Sequence, residues 1–382
     1  MHTLRPFQAQ ALAALNQRPV TEENHILCVA PTGSGKSLIY ERAAAQANRR
    51  TVLITPLVAL ARQQHQKLKA LGIPVSLGAG GVSENPPQAK SGAWIISPEL
   101  LKFQSRLAQL SAWKPTLLVV DECHCLWEWG ETFRPSFSLI PGLIQRFKIP
   151  QSLWLTATLP FEARLQIRKL LPQLPTEIGG FELPQQLRLT VQRTRWEERI
   201  STLIQWVLRQ CGPGIIFVPT RETTLRIARL IEATGKTSVA YHGGLSSEER
   251  KNIEAQVAKN QVNVVVATTA FGMGMDYPHL TYVVLWQAPT SLLSLVQTIG
   301  RVGRNPLTLG QALVLWDYDD FKLLEWTVQH SQKRRQELID LIAFLKSSGC
   351  RQAHLKLAFD RTADSTPCGR CDACLPTIPL PH

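Results

Sequence analysis

Residues Thr116 to Phe137 read TLLVVDECHCLWEWGETFRPSF. Leu117, Leu118, Val119 and Val120 make a short apolar run of the kind that fills a strand buried on both faces, as in a parallel sheet. The run ends in two acids, Asp121 and Glu122. Acids just past the carboxyl end of a parallel strand stand where an open α/β sheet binds its ligands. His124 follows, and then Trp127, Trp129, Phe133 and Arg134 crowd one loop. Two readings of that crowd stay open: an aromatic and arginine surface that touches a ligand, or a hydrophobic cluster packed under a loop.

The partner of this segment lies upstream. His25 to Ala30 reads as a buried strand, Pro31-Thr-Gly-Ser-Gly-Lys36-Ser37 as a loop, and Leu38 to about Asn48 as a helix. Strand, glycine-bearing loop, Lys-Ser and helix form the setting of a phosphate-binding loop. Gly33 and Gly35 let backbone N–H groups curl around phosphate, Lys36 reaches the terminal phosphates, and Ser37 ligates magnesium at a helix N-terminus that favours anions. Ala30 stands where the strict pattern has glycine.

Alternation of strand and helix continues on both sides. Thr51–Pro56, Ala93–Pro98 and Leu153–Ala157 read as strands, and Leu57 to Leu71 as a helix stopped by Gly72. This is the pattern of βαβ units around a parallel sheet. It loosens between Pro172 and Arg195, where prolines and glycines mark a linker. A second alternating set then begins at Gly214, with further strands at Thr237–His242, Val262–Thr268, Tyr282–Gln287 and Gln311–Trp316. Ser246 with Glu249 three residues on is a capping box. This set carries Gly300-Arg301-Val-Gly303-Arg304 and no phosphate loop of its own.

From Phe321 to Ser348 the period is helical, with Leu338, Ile339, Leu341, Ile342, Phe344 and Leu345 on an apolar face, and Lys333, Arg334 and Arg335 either in solvent or in contact with phosphate. Cys350 follows, then Cys368-Gly-Arg-Cys371-Asp-Ala-Cys374. Four thiolates are the number a closed, structural zinc site requires. Disulfides are the competing reading, and no secretory signal supports them.

The fold class expected is α/β: two tandem parallel-sheet domains, residues 1–180 and 181–320, followed by a small helical zinc-binding subdomain, 321–382. A net charge of +13 on 382 residues makes nucleic acid the first candidate partner, because phosphate neutralisation by Lys and Arg supplies most non-specific affinity. No apolar run reaches the length of a membrane span. The expected compartment is the cytoplasm.

Together these motifs resemble superfamily two helicases, and more narrowly the RecQ family of DNA helicases. Leu4-Arg5-Pro6-Phe7-Gln8 resembles that family's adenine-reading element, the loop after Asp121-Glu122 its aromatic-rich loop, and the four late cysteines its zinc subdomain. Thr156-Ala-Thr158, Ala270-Phe-Gly-Met-Gly274 and the Arg301/Arg304 pair are further matches, and the likeness runs from Leu4 to Cys374. The resemblance implies two RecA-like domains with ATP in the cleft between them. Arg5, Gln8, Thr32, Gly33, Ser34, Gly35, Lys36, Ser37 and Asp276 would bind the nucleotide. Lys36, Asp121, Glu122, Arg301 and Arg304 would be catalytic, Ser37 and Asp121 would take magnesium, and Cys350, Cys368, Cys371 and Cys374 would take zinc. His124, Trp129, Phe133, Arg134, Thr156, Thr158, His242 and Thr268 would bind DNA or couple it to ATP. The implied activity is ATP-driven 3′→5′ movement of a monomer on single-stranded DNA and unwinding of tailed duplexes, in recombination and repair. Two departures stand out. Cys123 replaces the family's usual alanine, and Met1 falls where an adenine-stacking aromatic is usual. Few residues follow Cys374, which implies that the family's winged-helix and helicase-and-RNase-D domains do not follow. A DNA-stimulated clamp or remodeller without robust unwinding is the alternative.

Overall fold

The computed structural model describes residues 4–129, 135–271, 277–305, 307–322, 331–361 and 366–375. Its chain divides into two compact units, Met1–Phe181 and Glu182–His382.

The first unit is built on seven parallel strands: β1 (Asn24–Val29), β2 (Arg50–Ile54), β3 (Val75–Gly78), β4 (Gly92–Ile96), β5 (Leu117–Val120), β6 (Gln151–Thr156) and β7 (Thr176–Gly179). Their order across the sheet is β3-β4-β2-β5-β6-β1-β7. Side chains alternate between the two faces of a strand, and both faces here are covered. Leu117, Val119, Leu153 and Leu155 enter one apolar cluster with Ile26, Cys28 and Ile39. Leu118, Val120 and Trp154 enter the other with Val52, Ile54 and Phe137. That double burial is why β5 reads as an unbroken apolar run. It also sets the position of the chemistry, because β5, β6 and β1 are neighbours and deliver Asp121, Thr156 and the 30–37 loop from one edge of the sheet.

The second unit has six parallel strands: β8 (Leu187–Arg193), β9 (Gly214–Phe217), β10 (Ser238–Tyr241), β11 (Val264–Ala267), β12 (Tyr282–Leu285) and β13 (Gly310–Trp316). Their order is β10-β11-β9-β12-β13-β8. The helix Ser247–Ala258 starts at a reciprocal cap: Ser246 N–H donates to Glu249 Oε2 (2.6 Å) and Glu249 N–H to Ser246 Oγ (3.2 Å).

Two expectations need correction. The stretch from Pro172 to Arg195 is no plain linker, because it contains β7, which pairs with β1, and β8, which pairs with β13. The apolar face of the helix Gln332–Lys346 is also narrower than its sequence suggests: Leu338, Leu341, Phe344 and Leu345 are buried, while Ile339 is 52% exposed.

The cysteine-rich end belongs to the second unit and docks on β8. Leu189 pairs with Cys371, with Asp372 N–H donating to Leu189 O (2.9 Å) and Leu189 N–H to Arg370 O (3.3 Å). Arg351 grips Asp372 in a two-pronged ion pair (3.0 and 2.8 Å) and donates to Phe344 O (2.8 Å), tying this end to the preceding helix. Among the described residues no helix is long and apolar enough to cross a membrane.

Candidate nucleotide site and metal centre

The loop after β1 turns through left-handed backbone at Gly33 (φ 73°) and Gly35 (φ 81°). The left-handed backbone favours glycine at Gly35, where a Cβ would also come within 2.9 Å of the tip of the Gln8 side chain. Gln8 is 4% exposed, and its Nε2 donates to Gly35 O (2.8 Å) and Ser34 O (3.3 Å). Its Oε1 accepts the N–H of Arg5 (2.8 Å). The element expected to read adenine is thereby tied to the loop expected to hold phosphate. Arg5 itself is exposed, and Thr32 and Ser37 are half-buried. Ser34 Oγ is buried without a hydrogen-bond partner. Lys36 is 8% exposed, and its ammonium donates to Ala30 O (2.9 Å) and Pro31 O (3.2 Å).

Asp121 faces this loop's strand from two strands away. Its Oδ2 accepts from Gln64 Nε2 (2.8 Å) and its Oδ1 from the Glu122 N–H (3.0 Å). Burial first, and then repulsion by Glu122, raise its carboxyl to about 7, with Lys36 opposing the rise. A buried carboxylate beside a second acid is relieved by a cation, and Ser37 with Asp121 is a donor set of the hard-oxygen type that magnesium takes. Glu122 sits at φ 51°, a left-handed conformation that costs a non-glycine residue about 1–2 kcal/mol. Such strain gathers at functional sites.

His124 joins the strand ends. Its Nδ1 lies 3.2 Å from Glu122 Oε2 and 3.0 Å from Thr156 Oγ1, and its Nε2 lies 3.5 Å from Cys125 Sγ. Burial disfavours a charged imidazole, but the Cys125 sulfur and the Glu122 carboxylate outweigh it and hold His124 above its ordinary value. Thr156 Oγ1 in turn donates to Thr158 O (2.8 Å). A continuous polar chain therefore runs from Glu122 through His124 to the residues after β6. Trp127 and Leu126 pack against the apolar cluster of their face, which is the packing reading for that part of the loop. The side chain of Trp129, and Phe133, Arg134 and Asp276, lie outside the described residues.

In the second unit, Arg301 and Arg304 follow the helix Leu292–Ile299. The Arg301 guanidinium lies 5.7 Å from the centre of the Phe217 ring, and Arg304 Nε donates to Gly300 O (2.9 Å). Gly303 (φ 72°) would place a Cβ 3.1 Å from Leu187 N, the start of β8. The turn between the two arginines therefore favours glycine. Thr268 and His242 follow the adjacent strands β11 and β10, both half-buried. Thr268 N–H donates to Tyr241 O (3.1 Å), and His242 Nδ1 is buried without a partner.

The Sγ atoms of Cys350, Cys368, Cys371 and Cys374 all lie within 4.8 Å of one another. Cys368 and Cys374 are 3.9 Å apart, and Cys371 and Cys374 3.5 Å. A tetrahedron with Zn–S bonds of about 2.3 Å has sulfur–sulfur edges of roughly 3.8 Å, so the cluster fits zinc. Backbone N–H groups already point at the sulfurs: Arg351 N to Cys371 Sγ and Cys368 N to Cys350 Sγ, both 3.4 Å. Such donors favour thiolates.

Sequence reasoning missed Gln64. It sits on the helix Val58–Ala70 among polar neighbours, and the one signal available was its spacing from Ala61 and Leu68 on the buried stripe.

A phosphate-binding loop beside an acid pair on one parallel sheet, a second parallel sheet with a fixed arginine pair, and a four-cysteine cluster define a helicase-type nucleotide-binding protein. Comparison with known proteins agrees. The model described as DEAD/DEAH box helicase matches residues 5–166, that described as helicase conserved C-terminal domain matches 198–306, and that described as RecQ zinc-binding matches 318–375. The chain is 30% identical over 332 residues to the probable ATP-dependent DNA helicase RecS of Bacillus subtilis, across 84% of this chain and 67% of that protein. It is 31% identical over 366 residues to the ATP-dependent DNA helicase RecQ of Haemophilus influenzae, across 91% of this chain and 58% of that one. Saccharomyces cerevisiae Dbp5 bound to RNA and ADP BeF3 shares the fold with a TM-score of 0.64 at 20% identity, covering 89% of this chain and 93% of that one. Mycobacterium smegmatis Lhr bound to ssDNA and AMP-PNP does so with a TM-score of 0.59 at 22% identity, covering 99% of this chain and 54% of that one. The chain belongs to the RecQ family of ATP-dependent DNA helicases. It spans 58% of the length of the Haemophilus relative and 57% of a Pasteurella multocida RecQ.

Proposed function

We propose that this chain is a magnesium-dependent ATPase stimulated by single-stranded DNA, which turns hydrolysis into 3′→5′ movement and the opening of tailed duplexes, in the service of recombination and repair. The observation that carries the reading is the polar chain from Glu122 through His124 to Thr156 and Thr158, one strand away from the phosphate loop. It gives the segment after Asp121 a covalent and hydrogen-bonded route to the acids that would act on ATP.

In this reading Lys36, the 30–37 loop and Ser37 hold the phosphates, and Gln8 and Arg5 read the base. Ser37 and Asp121 would hold magnesium, which supplies neutralisation of the phosphate charge. Glu122 orients the attacking water and takes its proton. Arg301 and Arg304 supply positive charge to the transferring phosphoryl group, and Asp276 adds a contact to the nucleotide. Phosphoryl transfer needs positioning and charge stabilisation more than covalent chemistry, and these residue types provide both. His124, Trp129, Phe133, Arg134, Thr156, Thr158, His242 and Thr268 bind DNA or pass its presence on. Base stacking on aromatics is tolerant of sequence and worth about 1–3 kcal/mol per base, so binding follows strandedness and not sequence. The four cysteines hold a structural zinc, and residues 1–180, 181–320 and 321–382 act as its three working parts. The protein works as a monomer in the cytoplasm, where buried free thiols such as Cys28, Cys123 and Cys125 stay reduced.

Strand separation of matched 3′-tailed and 5′-tailed duplexes tests this. The 3′-tailed duplex should open with ATP and magnesium and the 5′-tailed one should not. ATPase stimulation without opening of either would mark a clamp or remodeller instead.

A further inference from the structure

The helix Val58–Ala70 reaches the nucleotide site in two places. Three residues apart on it, Lys67 pairs with Glu41 of the helix that follows the phosphate loop (2.6 Å), and Gln64 donates from Nε2 to Asp121 Oδ2 (2.8 Å). Lys67 is half-exposed while Glu41 is buried. Gln64 is different: it is 6% exposed, and its partner is 9% exposed. A hydrogen bond to a buried carboxylate is charge-assisted and among the stronger ones.

The amide is also held one way round. The nitrogen of Gln64 faces Asp121, and Oε1 is left buried with no hydrogen-bond partner. A buried acceptor without a donor is costly, an arrangement that calls for an explanation at the site. Tyr40, fully buried, feels the charge of the same carboxylate.

We propose that Gln64 is a positioning residue for Asp121: its amide fixes the carboxylate in the rotamer that would receive magnesium. This rests on the reading of Asp121 as a magnesium ligand. The helix that carries Gln64 also touches the loop after β3, where Arg62 donates to Gly80 O (3.2 Å). Movement of that loop would therefore reach the metal carboxylate through one rigid element.

The test uses the full chain, a fluorescent ATP analogue and three variants. Binding is titrated in EDTA and at rising magnesium concentration, alongside the ATPase rate and the melting temperature without magnesium. Gln64→Leu keeps the volume and removes the amide. It should bind the analogue in EDTA as the parent does, and need about tenfold more magnesium for half-maximal effect, the worth of one hydrogen bond to a charged group. Its melting temperature without magnesium should fall only slightly, because loss of the donor to Asp121 is partly offset by removal of the unpartnered Oε1. Gln64→Glu sets a second acid against Asp121 and should raise the magnesium requirement further. Asp121→Asn is the control for the underlying reading. If it keeps the parental magnesium response, Asp121 is not the ligand and the site is misread. If it loses that response while both Gln64 variants keep it, the site stands and the role of Gln64 is overturned. Should Gln64→Leu melt early, the decision passes to Gln64→Glu, whose unchanged magnesium requirement would overturn the proposal.

Discussion

The two parallel sheets end in opposite chemistry. At the carboxyl edge of the first sheet, charged and polar groups crowd together: Lys36 over its loop, Asp121 pinned by Gln64, and Glu122 linked through His124 to Thr156. At the corresponding edge of the second, aromatic rings pack on one another. Tyr241 meets Phe271 edge-on at 4.8 Å, Phe271 stacks on Tyr277 at 5.5 Å, and Arg301 lies over Phe217. The strand ends occupy equivalent places in the same kind of fold, yet one edge gathers a lysine, two acids and a histidine and the other sets an arginine over an aromatic ring. Fold fixes where a site can be, and side chains decide what it does.

Breaking the first edge should cost most. Lys36→Ala and Glu122→Gln should each abolish ATP turnover, and Glu122→Gln should still bind ATP. A parental hydrolysis rate for Glu122→Gln would remove it from the role of base. The four-cysteine cluster docks on β8 of the second unit. Metal analysis of protein purified without chelator should find one zinc per chain, and Cys371→Ser should yield unstable or insoluble protein, since structural zinc sites carry about 10–16 kcal/mol of apparent binding energy. Absence of zinc would refute the assignment.

Breaking the second edge should be milder and purely kinetic. Arg304→Ala should leave nucleotide affinity near the parent and lower turnover by roughly 10³-fold or more, as loss of an arginine finger does. A loss confined to affinity would place Arg304 in binding and not in the transition state. The smallest effect sharpens the coupling between DNA and the first edge. Arg134→Ala should keep the basal ATPase rate, the melting temperature and much of the DNA affinity, because phosphate contacts by other basic groups supply most of it. It should lose the stimulation by single-stranded DNA. Early melting, or full stimulation, would make the loop structural.

Much of this was legible in the sequence, and the reasons differ by element. β5 and β1 were legible because burial on both faces leaves an unbroken apolar run. The phosphate loop was legible because its glycines answer to backbone geometry, as the left-handed Gly35 packed against Gln8 shows. The strands missed, β3, β7 and β8, are all edge strands. β7 is four residues long with only Ile178 buried, so little apolar signal exists to read. β8 does alternate, Leu187, Leu189 and Val191 inward, but Pro184 and the Gly179-Gly180 pair before it masked the period. Gln64 was illegible in a different sense: its importance lies in a contact 57 residues away in sequence, and no local pattern encodes that. Ile339 shows the opposite error, an apolar residue that periodicity assigns to a face the packing leaves in solvent.

The central claim is that DNA acting on the segment after β5 controls the acids at its start. The most direct measurement is the magnesium-dependent ATPase rate of the full chain with no nucleic acid, with single-stranded DNA, with duplex DNA and with RNA. Our account predicts a low basal rate, raised strongly by single-stranded DNA and less by the other two. A rate that is the same with and without single-stranded DNA would contradict it.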